Sequence, residues 1–398
     1  MKKFLALILA LVMALGLVAC GGGEEGGDEG TTEKVAMITD YGDITDQSFN
    51  QTTYEACKAF CEENGVEFTY KKPAGDNTAD RVAMIEQAVD EGYTIIVMPG
   101  FAFGGAIVAT QDEYPDVKFI ALDVGEFDIF DQFYNHDKKT GAQTDLIDPE
   151  NEPHIGDNVY CAVYQEELSG YMAGYAAVKM GYEKLGFLGG MAVPAVVRYG
   201  YGYIQGVDAA AKEMDKTVEM NYVYGGQFNG DADITAVMDT WYKGGTQVVF
   251  ACGGGIYTSA VDASKKVDGA KVIGVDTDQS GVIATYAGDA DNARTLTSAM
   301  KGLYPTTYDT LADVILNGNW ANYGGKVATL GLVNAEDPSA NYVQIPMENT
   351  QWNDEFTKDD YTAMVKAMMD GTLTVSNDAG ENLPAVTNVT IDNQGKIK

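Results

Sequence analysis

The chain has 398 residues, with 26 Lys and Arg against 59 Asp and Glu and a formal net charge of −33. So acidic a surface disfavours nucleic acid, anionic lipid headgroups and polyphosphates as partners. At roughly 150 residues per domain, the length points to two or three domains.

Residues 1–19 read as a secretory leader: Lys2 and Lys3 precede an apolar segment that is too short and wrongly flanked for an ordinary membrane span. Leu17-Val18-Ala19-Cys20 resembles the lipobox of bacterial lipoproteins, which implies cleavage before Cys20, acylation of that cysteine and attachment to a membrane through the lipid. Residues 21–33 have almost no apolar content and are expected to be a flexible tether.

Val35 to Ile38 is a short continuous apolar run, the pattern of a strand covered on both faces, and Asp40 stands just past its carboxyl end. Ser48 and Gln51 stand in capping-box spacing, so a helix is predicted from there with Phe49 and Asn50 in its first turn and Tyr54, Cys57 and Cys61 on its buried face. Open α/β sheets bind ligands beyond the carboxyl ends of their strands, and this turn gathers an aromatic ring, an amide and carboxylates there. A plain strand-to-helix connection with Phe49 packed locally is the alternative that the pattern leaves open.

Further on, strands at 66–70, 94–98 and 117–122 alternate with helices at about 80–90 and from about Gly104. The alternation resumes with strands at 185–188, 218–223, 248–251 and 272–275 and helices at about 195–214, 231–242 and from about Ile256. This is the signature of βαβ units and parallel sheets, here built twice. The halves overlay without a gap: Thr94 to Gly100 (TIIVMPG) matches Gln247 to Gly253 (QVVFACG), and at equal distance KFIALD and KVIGVD end in Asp123 and Asp276. One carboxylate is thereby expected at the mouth of each half, where the pair could hold ligand hydroxyls from both sides.

Residues 124–157, rich in Asp, Asn and Gln, read as a surface insertion holding both histidines, His136 and His154, far from the expected mouth. Cys57, Cys61, Cys161 and Cys252 are read as reduced, buried small residues, and no CxxC pair supports a metal or redox site. The glycine turns at 186–190 and 253–255 are too generic for a dinucleotide cofactor, and no Walker A motif occurs, so ATP hydrolysis would have to come from a partner. A strand at about 294–300 and a helix at about 303–316 are expected to complete the first lobe (34–157 plus about 289–320), with the tail returning to the second (158–288 plus about 321–398).

TDYGDITDQSFNQ, the ELSGYMAGYAA helix, KLGFLGG, YGGQFNGD, VVFACGGG and VIGVDTDQ, in that order from about Lys34 to Leu316, resemble the successive motifs of the basic membrane protein family. These are lipoproteins similar to the purine nucleoside receptor PnrA, the substrate-binding components of ABC importers. The resemblance implies a type I periplasmic-binding-protein fold, with two Rossmann-like lobes joined by a three-stranded hinge and a nucleoside enclosed between them. It implies Phe49 and Phe228 as the two slices of a base sandwich, and Asn50 and Asp123 as hydrogen-bond partners of the base edge. Gly254, Asp276 and Lys301 would hold the ribose, and Asp40 would contact the base or shape the site. No catalytic residue, cofactor or metal is implied, and the expected partners are a permease and its separate ATPase subunit.

The chain departs from the family at Thr45, Asp46 and Gln47, where two acids and a lysine are usual, and in a longer insertion at 124–157 and a longer tail past about Asn334. The alternatives are a receptor for another small solute, riboflavin or a pentose, and, in a different class, a surface enzyme such as a nucleoside hydrolase using clustered acids with calcium. For the last, Asp40, Asp43 and Asp46 have the wrong spacing for an EF-hand loop.

Overall fold

Runs of apolar residues four to six long, bounded by glycine or acidic turns, set the sheets of the computed structural model, which describes residues 33–135, 152–289, 291–380 and 382–398. The leader, Cys20 and His136 lie outside the described residues. The first half reads β1 (Lys34–Ile38), α1 (Phe49–Asn64), β2 (Glu67–Lys71), α2 (Thr78–Asp90), β3 (Ile95–Pro99), α3 (Gly104–Thr110), β4 (Lys118–Leu122), α4 (Glu126–Asn135) and β5 (Val159–Tyr164). The second half reads α5 (Glu166–Lys179), β6 (Lys184–Gly189), α6 (Pro194–Glu213), β7 (Val218–Tyr224), α7 (Ala232–Lys243), β8 (Val248–Cys252), α8 (Tyr257–Ser264), β9 (Lys271–Asp276), α9 (Ser280–Ala287) and β10 (Thr295–Lys301). Then follow α10 (Leu303–Leu316), β11 (Lys326–Leu330), β12 (Val343–Gln344), α11 (Lys358–Met369) and β13 (Val389–Lys396).

One sheet has the order β11-β5-β4-β3-β1-β2 and the other β12-β10-β9-β8-β6-β7-β13. Among the described residues every strand pairing is parallel except β10 with β12. Helices cover both faces, as the sequence of β1 requires: Val35 and Met37 join one apolar cluster while Ala36 and Ile38 join the opposite one. The fold is thus α/β, with two Rossmann-like lobes of parallel-rich sheet.

Among the described residues three crossings link the lobes, at β5 to α5, β10 to α10 and β11 to β12, and they bond to one another. Gln165 N donates to Leu330 O at 3.0 Å, Gly302 N to Tyr342 O at 2.7 Å and Tyr342 N to Gly331 O at 3.0 Å. This is the three-stranded hinge. The sheet membership corrects the expected lobe limits. β5 and β11 belong to the first sheet, while β10, assigned to the first lobe from sequence, pairs with β9 in the second. Only α10 of that segment packs on the first lobe, against α1. The lobes change at the hinge-crossing residues, which carry no glycine- or proline-rich linker to mark them.

Other elements escaped the sequence reading, α9, β12 and α11 among them. α4 lies in the supposed surface insertion, because its buried Ile129 and Phe133, four apart, are hidden among Asp and Gln. β13 extends the second sheet beside β7.

Around the hinge, α5 and α6 approach closely because glycines line their contact. A Cβ at Gly202 would sit 1.9 Å from the carbonyl oxygen of Glu167, and one at Gly170 would sit 2.2 Å from that of Tyr199. The approach fixes Glu166 and Tyr199 relative to each other. Gly202→Ala is expected to cost about 1–3 kcal/mol or more of stability, measured by denaturant unfolding; an unchanged midpoint would show that the helices have room to separate.

Candidate functional site

The duplicated strand ends carry the first sign of function. Asp123 follows β4 with φ 58° and Asp276 ends β9 with φ 65°, both in the left-handed region that is costly for a residue with a Cβ. Each turn thereby aims a carboxylate across the lobe boundary. Between them stands Lys301, at the end of β10, with a side chain only 3% exposed. Its Nζ lies 2.5 Å from Asp123 Oδ2, 3.4 Å from Asp276 Oδ1 and 3.5 Å from Glu166 Oε1. Glu166, fully buried at the start of α5, also accepts from Arg198 Nε at 2.6 Å.

Burial pushes the pKa of Lys301 down, and the charges of Asp123, Asp276 and Glu166 more than reverse this, so the ammonium is held above its ordinary range. Burial pushes Asp123 up to about 6, against the opposing pull of Lys301. A raised carboxyl contributes stability below its ordinary 3.8 and loses it as pH rises through 6. Ionised Asp123 is therefore a stability cost at neutral pH.

All eight residues expected from sequence, Asp40, Phe49, Asn50, Asp123, Phe228, Gly254, Asp276 and Lys301, line one cavity of about 400 Å³ between the lobes. That is the size class of small-molecule sites. Phe49 opens α1, and its ring centroid lies 4.7 Å from Lys301 Nζ. Phe228, in the loop after β7, lies so close to Gly190 and Gly253 that a Cβ on either would sit 2.4 and 2.8 Å from its Cδ1. Those glycines make a floor for the ring.

Asp40 is buried, its pKa raised by burial, and its Oδ1 accepts from the backbone nitrogens of Tyr41 at 2.6 Å and Gly42 at 2.8 Å. Asn50 donates Nδ2 to Asp46 Oδ2 at 3.1 Å, while its Oδ1 is buried with no protein partner, as is Asp123 Oδ1. Two buried acceptors without donors cost roughly 1–3 kcal/mol each. A ligand bearing N–H or O–H groups would recover that cost.

The expected capping box at Ser48 and Gln51 is not what starts α1. Asp46 caps the helix instead, accepting from the backbone nitrogens of Ser48 at 2.9 Å, Asn50 at 2.9 Å and Gln51 at 3.0 Å. Ser48 Oγ is thereby free to donate to Asp276 Oδ2 at 2.7 Å, from the first lobe to the second. Beside it, Gln279 Nε2 of the second lobe donates to Gln47 O at 3.2 Å and Gly254 O at 3.3 Å. Asp46 thus supplies the helix cap, and Ser48 Oγ with the Gln47 carbonyl supplies the first lobe's half of an inter-lobe clasp.

Ser48, Gln279, Glu166, Arg198 and Tyr199 were not among the expected site residues. Their roles depend on contacts between residues far apart in sequence, from 32 positions for Arg198 with Glu166 to 232 for Gln279 with Gln47, and only the place of Ser48 next to Phe49 hinted at one of them. His154 does not line the cavity and pairs with Asp112 at 2.9 Å. Cys57, Cys61, Cys161 and Cys252 are all free and buried, and Cys252 also lines the cavity. Among the described residues no group of three or more His, Cys, Asp or Glu is placed to hold a metal ion.

Comparison with known proteins supplies the family. The sequence model described as ABC transporter substrate-binding protein PnrA-like matches residues 33–370, farther into the tail than the motifs alone reached. The chain is similar to the ABC transporter nucleoside-binding protein BmpA of Lactococcus lactis, 27% identical over 352 residues that cover 84% of this chain and 90% of that one. It is also similar to an uncharacterized lipoprotein of Pyrococcus horikoshii, 27% identical over 349 residues covering 83% and 76% of the two chains. Among solved structures, an ABC transporter solute-binding protein from Aeropyrum pernix superposes with a TM-score of 0.62 at 20% identity, over 87% of this chain and 88% of that one, a likeness of fold. The chain belongs to the PnrA-like family of ABC-transporter substrate-binding proteins.

Proposed function

We propose that this protein is a lipid-anchored extracytoplasmic receptor, held at the membrane through Cys20, that encloses a purine nucleoside and presents it to an ABC permease driven by a separate ATPase. The observation that carries the reading is the convergence of two phenylalanines, the Lys301 carboxylate cluster and two unpartnered acceptors on one cavity between hinged lobes. The similarity to a protein named for nucleoside binding supports the same ligand class, and similarity to a lipoprotein supports the anchor.

In this reading the rings of Phe49 and Phe228 take the faces of the base, Asn50 and Asp123 its polar edge, and Asp276, Lys301 and the backbone at Gly254 the ribose hydroxyls. Asp40 shapes the base end of the cavity. Stacking contributes on the order of 1–3 kcal/mol per ring and hydrogen bonds to charged groups about 1.5–3 kcal/mol each. Two rings and three or four bonds suffice for micromolar affinity, roughly 8 kcal/mol net, after the cost of association. Delivery requires no bond to break.

Acidic walls also select. Of the two lysines lining the cavity, Lys301 is already shared by three carboxylates and Lys72 is paired with Asp43, so a phosphate entering here meets like charge with both cations engaged. The two rings favour a planar ligand over a bare pentose, which leaves riboflavin as the alternative solute. The calcium hydrolase reading has less support: Asp43 pairs with Lys72 at 2.9 Å and Asp46 caps α1, so two of the three acids it needs are engaged. Incubation with inosine is expected to yield no free base, and steady release of base would establish an enzyme.

By calorimetric titration, Phe49→Ala and Asp276→Ala are each expected to weaken nucleoside binding at least about tenfold with the fold intact; unchanged affinity in either would remove that residue from the site. A nucleoside monophosphate binding as tightly as its nucleoside would contradict the selection by charge. Because Asp123 titrates near 6, affinity should fall about tenfold between pH 7.5 and pH 5, as the ionised fraction of the free site drops to about one tenth. A flat profile would show that ligand does not use this carboxylate. Lys301→Met removes the cation shared by three buried carboxylates, leaving Asp123 without an ionic partner, and is expected to cost about 3–5 kcal/mol at pH 7.5 and less at pH 5, where Asp123 can take up a proton. Equal destabilisation at both pH values, in denaturant unfolding, would mean that the loss is one of packing.

A further inference from the structure

The family match ends at residue 370, yet the chain continues into β13, which pairs in parallel with β7 as the outermost strand of the second sheet. β7 ends at Tyr224, and the loop that follows it carries Phe228. On its inner side this loop is held by the sheet, with Gly225 N donating to Gly189 O at 2.7 Å and Gly226 N to Gly190 O at 3.0 Å. On its outer side it is held by the residues at and after the end of β13.

Three contacts make that outer support. Ile397 N donates to Tyr224 O at 2.9 Å, and the Ile397 side chain packs against the cluster of Leu188, Val223 and Ile234. Gly226, at φ 85°, lies so close to the tail that a Cβ there would meet the Lys398 carbonyl at 3.0 Å. Lys398 Nζ bonds Asp231 and lies 3.5 Å from Asp233. Asp231 is the N-cap of α7, accepting from Ile234 N at 2.9 Å, and it also accepts from Gln227 Nε2 at 2.8 Å. Gln227 is the residue next to Phe228, so the tail reaches the ring through Asp231 and Gln227. Anchors farther back fix the strand itself: Trp241 Nε1 donates to Gln394 Oε1 at 3.1 Å, and Asn388 Nδ2 to Lys216 O at 2.9 Å.

We propose that the segment Val389–Lys398, outside the segment matched by the family, is a positioning element of the ligand site that pre-orders the Phe228 loop. Without it β7 becomes an edge strand, Tyr224 loses a hydrogen bond, and the loop must be ordered at the expense of ligand affinity. The segment touches no ligand itself.

The test compares the full chain, a form lacking residues 389–398, and a full-length Ile397→Ser, Lys398→Ala double variant that keeps β13 paired should the deletion fold poorly. Amide hydrogen exchange is followed at residues 225–231, with β6 and β8 as internal references, together with titration of guanosine. The expected result is exchange at 225–231 at least about tenfold faster in the deletion and about threefold faster in the double variant, with the reference strands unchanged. Guanosine affinity should fall in step, through faster dissociation. Exchange at 225–231 indistinguishable from the full chain in the folded variants would overturn the proposal. The binding arm rests on the nucleoside reading and the exchange arm does not: if the unaltered protein ignores guanosine, the proposed ligand is wrong and the exchange still decides the role of the tail.

Discussion

A single buried ammonium holds the ligand end of this molecule together. Lys301 leaves the second sheet at the hinge and is shared by Asp123 from the first sheet, Asp276 from the second and Glu166 from the first crossing. Four charges in so dry a place are tolerable only as a group, since each carboxylate alone would carry a desolvation cost of several kcal/mol. The group therefore fixes the two strand ends and the crossing helix at one geometry. The left-handed backbone at Asp123 and Asp276 and the glycine-lined contact of α5 with α6 are the local costs of that arrangement.

Motion follows from the same placement. The hinge is narrow, three crossing segments joined by backbone hydrogen bonds, while the contacts on the cavity side are few and polar: Ser48 with Asp276, Gln279 with Gln47, Lys301 with Asp123. Hinged lobes of this kind close around ligand. Asp276 takes part in the clasp, in the Lys301 cluster and in the cavity wall at once, so a hydroxyl bound to it acts directly on the contact that keeps the lobes together. In the proposed function this couples ligand occupancy to the surface a permease would read.

Much of the fold was legible because β1, β3, β4, β8 and β9 are apolar on both faces and are punctuated by helices, and because the repeat of TIIVMPG and KFIALD as QVVFACG and KVIGVD marks equivalent strands. The candidate site was legible at the residues those strands end in, at Phe49 in the first turn of its helix, and at Lys301, which resemblance supplied. What stayed hidden is long-range. The placement of β10 in the second sheet depends on register with β9, not on its own composition. The acidic disguise of α4 and the polar sequence of β13 conceal elements that packing and an edge pairing create. Ser48 looked like a cap from spacing alone, and only the nearby Asp46 carboxylate, which takes the helix donors, leaves its hydroxyl for the other lobe.

The central claim is that a flat, hydroxylated nucleoside is held between Phe49 and Phe228 with its sugar against Asp276 and Lys301. A crystal structure of the protein grown with guanosine tests it most directly. The account predicts the base between the two phenylalanine rings and ribose hydroxyls within hydrogen-bonding distance of Asp276. Guanosine absent from the cavity at saturating concentration, or bound elsewhere on the protein, would contradict it.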